Sequence, residues 1–249
     1  MVTGMRKALI ILIVAAILAV GGLVWDRQRQ NDSPAETANT SRPFDASRYS
    51  TTDPASIWIV VNKLRPLEPS SYKPSDLRTP DVPLRTGKLA EDMKLRDAAA
   101  VALEKLFAAA SGSGLKLMLA SGYRSYSYQS GLYDTYVRTQ GQAVADTQSA
   151  RAGYSEHQTG WAADIGAVSR ACEIEGCFAD TPEGTWVAAN AYKYGFVIRY
   201  PESKQDITGY IYEPWHLRYV GKTLAAELHK QGNPALEEFF GLPAAPDYP

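Results

Sequence analysis

Ser155-Glu156-His157-Gln158-Thr159-Gly160-Trp161-Ala162-Ala163-Asp164 holds one of only three histidines in the 249-residue chain, and a second closes Glu213-Pro214-Trp215-His216. Imidazole nitrogens and a carboxylate oxygen are ordinary zinc ligands at about 2.0–2.2 Å, so two ligating atoms must approach to about 3–3.5 Å. On a straight helix the seven-residue step from His157 to Asp164 spans about 10 Å, too far for a shared ion. The chain must therefore turn between them, and Gly160 has the backbone freedom to do so, with the small Ala162 and Ala163 leaving room for close packing. Pro214 biases Glu213 toward an extended conformation. Strand alternation alone would send Glu213 and His216 to opposite faces, whereas a bend at Pro214 turns both toward one cavity with Trp215 in its wall. Two histidines and one carboxylate, with a position left for water, make a catalytic zinc set, and a second, unligated carboxylate can take a proton from the water. By spacing alone, the same residues also fit an ordinary hydrogen-bonded His–Asp pair.

Outward from this core, helices and strands mix without βα alternation. Leu95, Ala98, Ala99, Ala102, Leu103, Leu106 and Ala110 recur at helical spacing and predict an amphipathic helix ended by Gly112 and Gly114. Leu115–Ala120 reads as a strand and Tyr126–Thr139 as a helix. Thr181-Pro182-Glu183 starts another helix, ending near Gly195, because it supplies a capping hydroxyl, a first-turn proline and an acid at the positive end of the dipole. Ile57–Val61 is a β-branched run expected to be a buried strand, followed by the irregular stretch of Pro66, Pro69, Pro74, Pro80 and Pro83. Phe196–Tyr200 and Asp206–Tyr212 read as a hairpin joined through Pro201–Lys204, and a last helical region starts near Thr223. The expectation is an α+β fold, a small mixed sheet with flanking helices. His229, in a C-terminal helix outside any motif, reads as a solvated helix-end residue.

The chain is 45% hydrophobic and 21% charged with a net charge of -1, an ordinary globular composition that lacks the basic footprint of a nucleic-acid binder. Ala8–Trp25 is uncharged over 18 residues and follows Arg6 and Lys7. It approaches the roughly 20 residues of a transmembrane helix and exceeds the usual signal-peptide core of about 7–15. It is read as a single-pass membrane anchor at residues 1–25, with a cleaved signal as the alternative. Residues 26–56 are polar and aperiodic, a flexible linker, leaving the domain at 57–249 outside the cytoplasm. In that oxidising setting Cys172 and Cys177 are expected to pair, closing a short loop worth about 2 kcal/mol.

Ser-x-His-x-x-Gly-x-Ala-x-Asp at 155–164, Glu-x-Trp-His at 213–216 and the preceding Ser121-Gly122-Tyr123-Arg124-Ser125 together resemble the zinc D-alanyl-D-alanine carboxypeptidases of bacterial cell walls, the vancomycin-resistance (VanY) type with its related LD-carboxypeptidases. The similarity runs over about Ile57–Val220 and includes YKYGFVIRYP and ITGYIYEPWHLRYVG. It implies a hedgehog/DD-peptidase-like zinc fold and one Zn2+ per chain held by His157, Asp164 and His216, with Glu213 as general base. It also implies that Arg124 holds the terminal carboxylate of the peptide, in keeping with the bidentate fork of a guanidinium, and that Gln129 and Ser155 line the substrate pocket. The substrate implied is a peptidoglycan stem peptide losing its C-terminal D-alanine, and the expected enzyme is a monomer. The competing readings are an LD-carboxypeptidase or endopeptidase on the same peptides, and a catalytically silent wall-binding module. A serine nucleophile at Ser155 is disfavoured, since no Gly-x-Ser-x-Gly elbow surrounds it.

Overall fold

The computed structural model describes residues 44–249; the expected anchor at 1–25 and the first part of the linker lie outside them. Among the described residues no helix is long and apolar enough to cross a membrane. Asp45–Pro249 forms one compact unit. Residues 45–56, read from sequence as linker, are tied into it: Thr51 O accepts from Val60 N, Ser56 O from the Trp161 indole, and Ala55 O from Arg96.

The centre is a four-stranded sheet in the order β3 (Leu117–Ser121), β4 (Ala162–Ala167), β6 (His216–Tyr219) and β5 (Phe196–Ile198), with every neighbouring pair antiparallel. A separate two-stranded ribbon joins β1 (Leu77–Arg78) to β2 (Leu95–Arg96), and a single parallel bridge links Leu84 to Leu119. Helix α1 (Asp97–Gly112) buries Ala99, Leu103, Leu106 and Ala110, the face expected from their spacing. The helix starts two residues later than the periodicity suggests because Leu95 and Arg96 are taken up in the ribbon. Leu117, Leu119, Ala163, Ile165 and Leu217 share a hydrophobic core with this face of α1. Side chains alternate along a strand, so Asp164, His216 and Arg218 lie on the other face of the sheet. There the register sets Asp164 opposite His216 and Ala162 opposite Arg218.

Around the sheet run α2 (Tyr126–Gln140), capped by Ser125, then α3 (Gln142–Gln148) and α4 (Pro182–Asn190), the last capped by Thr181 with Pro182 at its start. α4 gives way to a 3-10 turn at Ala191–Tyr194, and the left-handed Gly195 ends it. One helical turn, α5 (Gln205–Thr208), precedes α6 (Lys222–Lys230) and α7 (Leu236–Phe239).

Two strand expectations fail. The hairpin of 196–200 with 206–212 does not form: β5 pairs with β6, and 206–212 makes α5 and a left-handed turn at Gly209, leading Tyr210 and Ile211 to a cavity wall. Local alternation there cannot compete with the pairing of Phe196 to Tyr219 and Ile198 to Leu217, which buries apolar side chains against α1. The Ile57–Val61 run is not a strand. Trp58–Val61 are buried, but the backbone acceptors of the run meet guanidinium groups instead of a neighbouring strand: Arg218 donates to Ile57 O and Ile59 O, and Arg65 to Val60 O.

Arg218 belongs to a buried ionic cluster. Glu156 Oε1 accepts from Arg199 Nε at 2.7 Å and Arg218 Nη1 at 2.8 Å, and Glu237 takes the other end of Arg199 through both oxygens at 2.6 and 2.9 Å. Breaking such a buried pair costs about 3–5 kcal/mol because a charge is left uncompensated. Burial works against the ionised form of both acids, but the arginines prevail and hold Glu156 and Glu237 below the ordinary 4.5. Depressed folded values contribute stability that is complete above about 4.5 and lost as pH falls through them. The melting temperature is therefore expected to hold level from neutrality toward pH 5 and to drop on further acidification, less steeply in a Glu237→Gln variant. Equal acid slopes for the two proteins would remove the cluster from the explanation.

Candidate metal centre

His157 lies in a 3-10 turn, Glu156–Thr159, capped by Ser155, whose hydroxyl accepts from His157 N at 3.3 Å. Gly160 ends the turn at φ +72, and a Cβ there would meet Arg96 Cγ at 2.8 Å, so conformation and space both select glycine. This is the reversal that the His157–Asp164 spacing required, and it delivers the chain into β4. At the other end of the site His216 N donates to Glu213 O at 3.1 Å; Glu213-Pro214-Trp215 is a turn, not a strand, with Trp215 in the core. Glu213 and His216 consequently face the same cavity.

His157, Asp164 and His216 are all buried, and one ligating atom from each lies within 4.8 Å of the others. His157 Nδ1 is 2.6 Å from Gly122 O, an acceptor only, so Nδ1 carries the proton and Nε2 presents a lone pair. That Nε2 faces Asp164 Oδ2 at 3.2 Å, and His216 Nδ1 faces Asp164 Oδ1 at 3.1 Å. His157 Nε2 and Asp164 Oδ1 have no hydrogen-bond partner among the described residues. Buried lone pairs turned toward one another need a cation between them, and the donor set of two imidazoles and one carboxylate suits zinc. Gly122 is part of the arrangement: a Cβ there would meet Lys94 O at 2.3 Å, so only glycine lets its carbonyl stand behind His157.

Burial, followed by the nearby Arg124, lowers His157 to about 4, keeping it neutral. Burial also pushes against a charged His216, but Asp164 and Glu156 override it and raise His216 to about 9. Asp164 lies well below its usual range despite burial, held there by His157 and His216. Glu213, 3.5 Å from His216 Nδ1, moves the other way: burial, reinforced by Asp164 and Glu156 and opposed by His216 and Arg124, lifts it to about 8.

These groups open into a cavity of about 300 Å³. Arg124 lines it, and its Nε is buried without a hydrogen-bond partner among the described residues. Ser155 also lines it, and its hydroxyl accepts from His157 N in the turn that carries the ligand. Gln129 is not in the cavity wall: fully buried, it donates to Ala150 O at 2.7 Å and Ser149 Oγ at 3.2 Å, and those two residues form the wall it was expected to form itself. Cys172 and Cys177 are disulfide-bonded, which takes both sulfurs out of metal binding, and the loop they close places Ile174, Glu175 and Gly176 at the cavity. His229 is exposed near the end of α6, stacked on Tyr192 at 3.6 Å and away from the centre. Sequence reasoning missed Glu156, Arg199, Arg218 and Tyr200. No spacing rule marks them, since they meet only once the strands are in register; the Tyr200 ring lies 4.9 Å from that of His216.

A buried His–Asp–His set beside a free carboxyl, opening to a cavity on an antiparallel α+β sheet, defines a mononuclear metallohydrolase centre. The chain belongs to the D-alanyl-D-alanine carboxypeptidase family VanY, whose model matches residues 92–222, a span that contains His157, Asp164, Glu213 and His216. It is 40% identical over 260 residues to the putative carboxypeptidase YodJ of Bacillus subtilis (strain 168), covering 91% of this chain and 94% of that one. Among solved structures it resembles the LD-carboxypeptidase LdcB, at 46% identity and a TM-score of 0.71 over 76% of this chain and 87% of LdcB. It also resembles the vancomycin-resistance D,D-pentapeptidase VanY solved with Zn(II), at 34% identity and a TM-score of 0.59 over 73% of this chain and 97% of that one.

Proposed function

We propose that this protein is a zinc carboxypeptidase that removes the C-terminal D-alanine from peptidoglycan stem peptides. The observation that carries the reading is the joint presence in one cavity wall of the His157–Asp164–His216 set, the Glu213 carboxyl and Arg124, whose Nε has no hydrogen-bond partner among the described residues. Bound zinc would supply Lewis acidity, polarising the scissile carbonyl and making water more acidic. Glu213 takes the proton of the attacking water on its carboxylate and returns it to the leaving amine. Arg124 pairs with the terminal carboxylate of the peptide and so sets which bond meets Glu213. Tyr200, Tyr210 and Trp215 wall the cavity and exclude bulk water, which strengthens both charge interactions.

The likeness to LdcB supports a second reading, an LD-carboxypeptidase acting on the tetrapeptide. Incubating residues 45–249 with defined pentapeptide and tetrapeptide stems and weighing the products separates the two. Loss of one D-alanine from the pentapeptide is expected, abolished by a chelator and restored by one equivalent of zinc. Full activity in metal-free protein would sink the mechanism.

The anchor is proposed on the sequence of Ala8–Trp25 alone: the monomeric domain would stand outside the cytoplasm, held to the membrane. A reporter fused after Pro249 should be extracytoplasmic and membrane-bound. A soluble mature chain beginning near Gly22 would make the segment a cleaved signal.

A further inference from the structure

We propose that Glu156 is a positioning residue for the metal centre: it holds the His216 imidazole with the proton on Nε2, leaving Nδ1 to face Asp164 and the metal. The inference rests on the reading of His157, Asp164 and His216 as the metal ligands. Glu156 could be seen as a mere counter-ion to two arginines, but its geometry differs from that role. Glu237, in the same cluster, meets Arg199 with both oxygens, the usual fork-to-fork arrangement. Glu156 instead accepts from Arg199 and Arg218 with Oε1 alone. Its Oε2 has no hydrogen-bond partner among the described residues and stands 3.7 Å from His216 Nε2, which has none either. The two unpartnered buried atoms face each other, one an acceptor and the other the ring nitrogen on the side away from Asp164.

The backbone explains why Glu156 can reach. It directly precedes His157 in the turn capped by Ser155, while His216 and Arg218 share one face of β6. A single carboxylate thereby spans the two ligand-bearing segments, and the arginines fix its rotamer. Partners behind a metal-bound histidine set its tautomer and ring orientation, and losing one typically costs about 10–100-fold in metal affinity.

Glu156→Gln preserves shape but offers only one acceptor oxygen. The arginines need it, so the amide NH2 is turned on His216 Nε2–H, donor against donor. In zinc-loaded wild-type protein with 15N-labelled histidine, the two-bond proton–nitrogen pattern should show His216 protonated at Nε2, whereas a proton on Nδ1 overturns the proposal. E156Q should bind zinc at least tenfold more weakly than wild type, measured by competition with a chromophoric chelator. E237Q, which removes a carboxylate from the same cluster without facing a ligand, should lose stability yet keep its zinc affinity within about threefold. Equal zinc affinity of E156Q and wild type, or equal weakening by both variants, reduces Glu156 to a structural ion. If E156Q does not fold, E156D decides: it keeps the charge for the arginines but shortens the reach to His216, and should also bind zinc at least tenfold more weakly, whereas unchanged affinity overturns the proposal. Wild-type protein that binds no zinc overturns this proposal together with the carboxypeptidase reading; a zinc protein with the expected tautomer but no hydrolysis overturns only the latter.

Discussion

Glu213→Gln should retain one zinc per chain and lose about 10²–10⁴-fold in kcat, the usual contribution of a positioned general base. The expectation follows from where the carboxyl stands. It lies 3.5 Å from His216 Nδ1 and lines the same cavity as the three ligands, so its oxygens share one water-accessible space with the ion those ligands would hold. The amide is nearly isosteric and cannot accept a proton, so zinc content and turnover should separate cleanly. Metal analysis beside single-turnover kinetics checks this. Parallel loss of metal and activity would instead make Glu213 a ligand or a structural residue.

Arg124→Ala should lower kcat/KM at least tenfold with zinc content unchanged. Truncating one partner of a desolvated charge pair costs about 2–5 kcal/mol. In wild-type protein, amidating the C-terminus of the substrate should do comparable damage, but in the variant hardly any further damage, since the two changes delete opposite halves of one contact. Steady-state kinetics on the four combinations measures the coupling. Simple additivity would show that Arg124 does not read the carboxylate, and would favour an endopeptidase over an exopeptidase. The unpartnered Nε of Arg124 is the structural reason to expect coupling: nothing among the described residues competes for it.

The residues proposed as ligands, base and carboxylate reader could be named from the 121–125, 155–164 and 213–216 motifs through their family resemblance, and the structure brings all five to one cavity. Also legible in the order of residues were the reversal at Gly160, the helix read from Leu95 to Ala110 apart from its first turn, and the capped start of α4, each determined by near-neighbour rules of glycine, periodicity and capping. The register of β4 against β6 was not. It alone puts Asp164 opposite His216 and Arg218 opposite Ala162, from where Arg218 donates to Glu156. Nor could local pattern show that Phe196–Ile198 would choose β6 over 206–212, or that arginines would stand in for a strand beside Ile57–Val61. Gln129 carries the same lesson, since its side chain is polar by sequence yet supports the wall from behind. These outcomes depend on which distant segments bury apolar surface together and satisfy one another's backbone groups, a competition over the whole chain that no window of sequence contains.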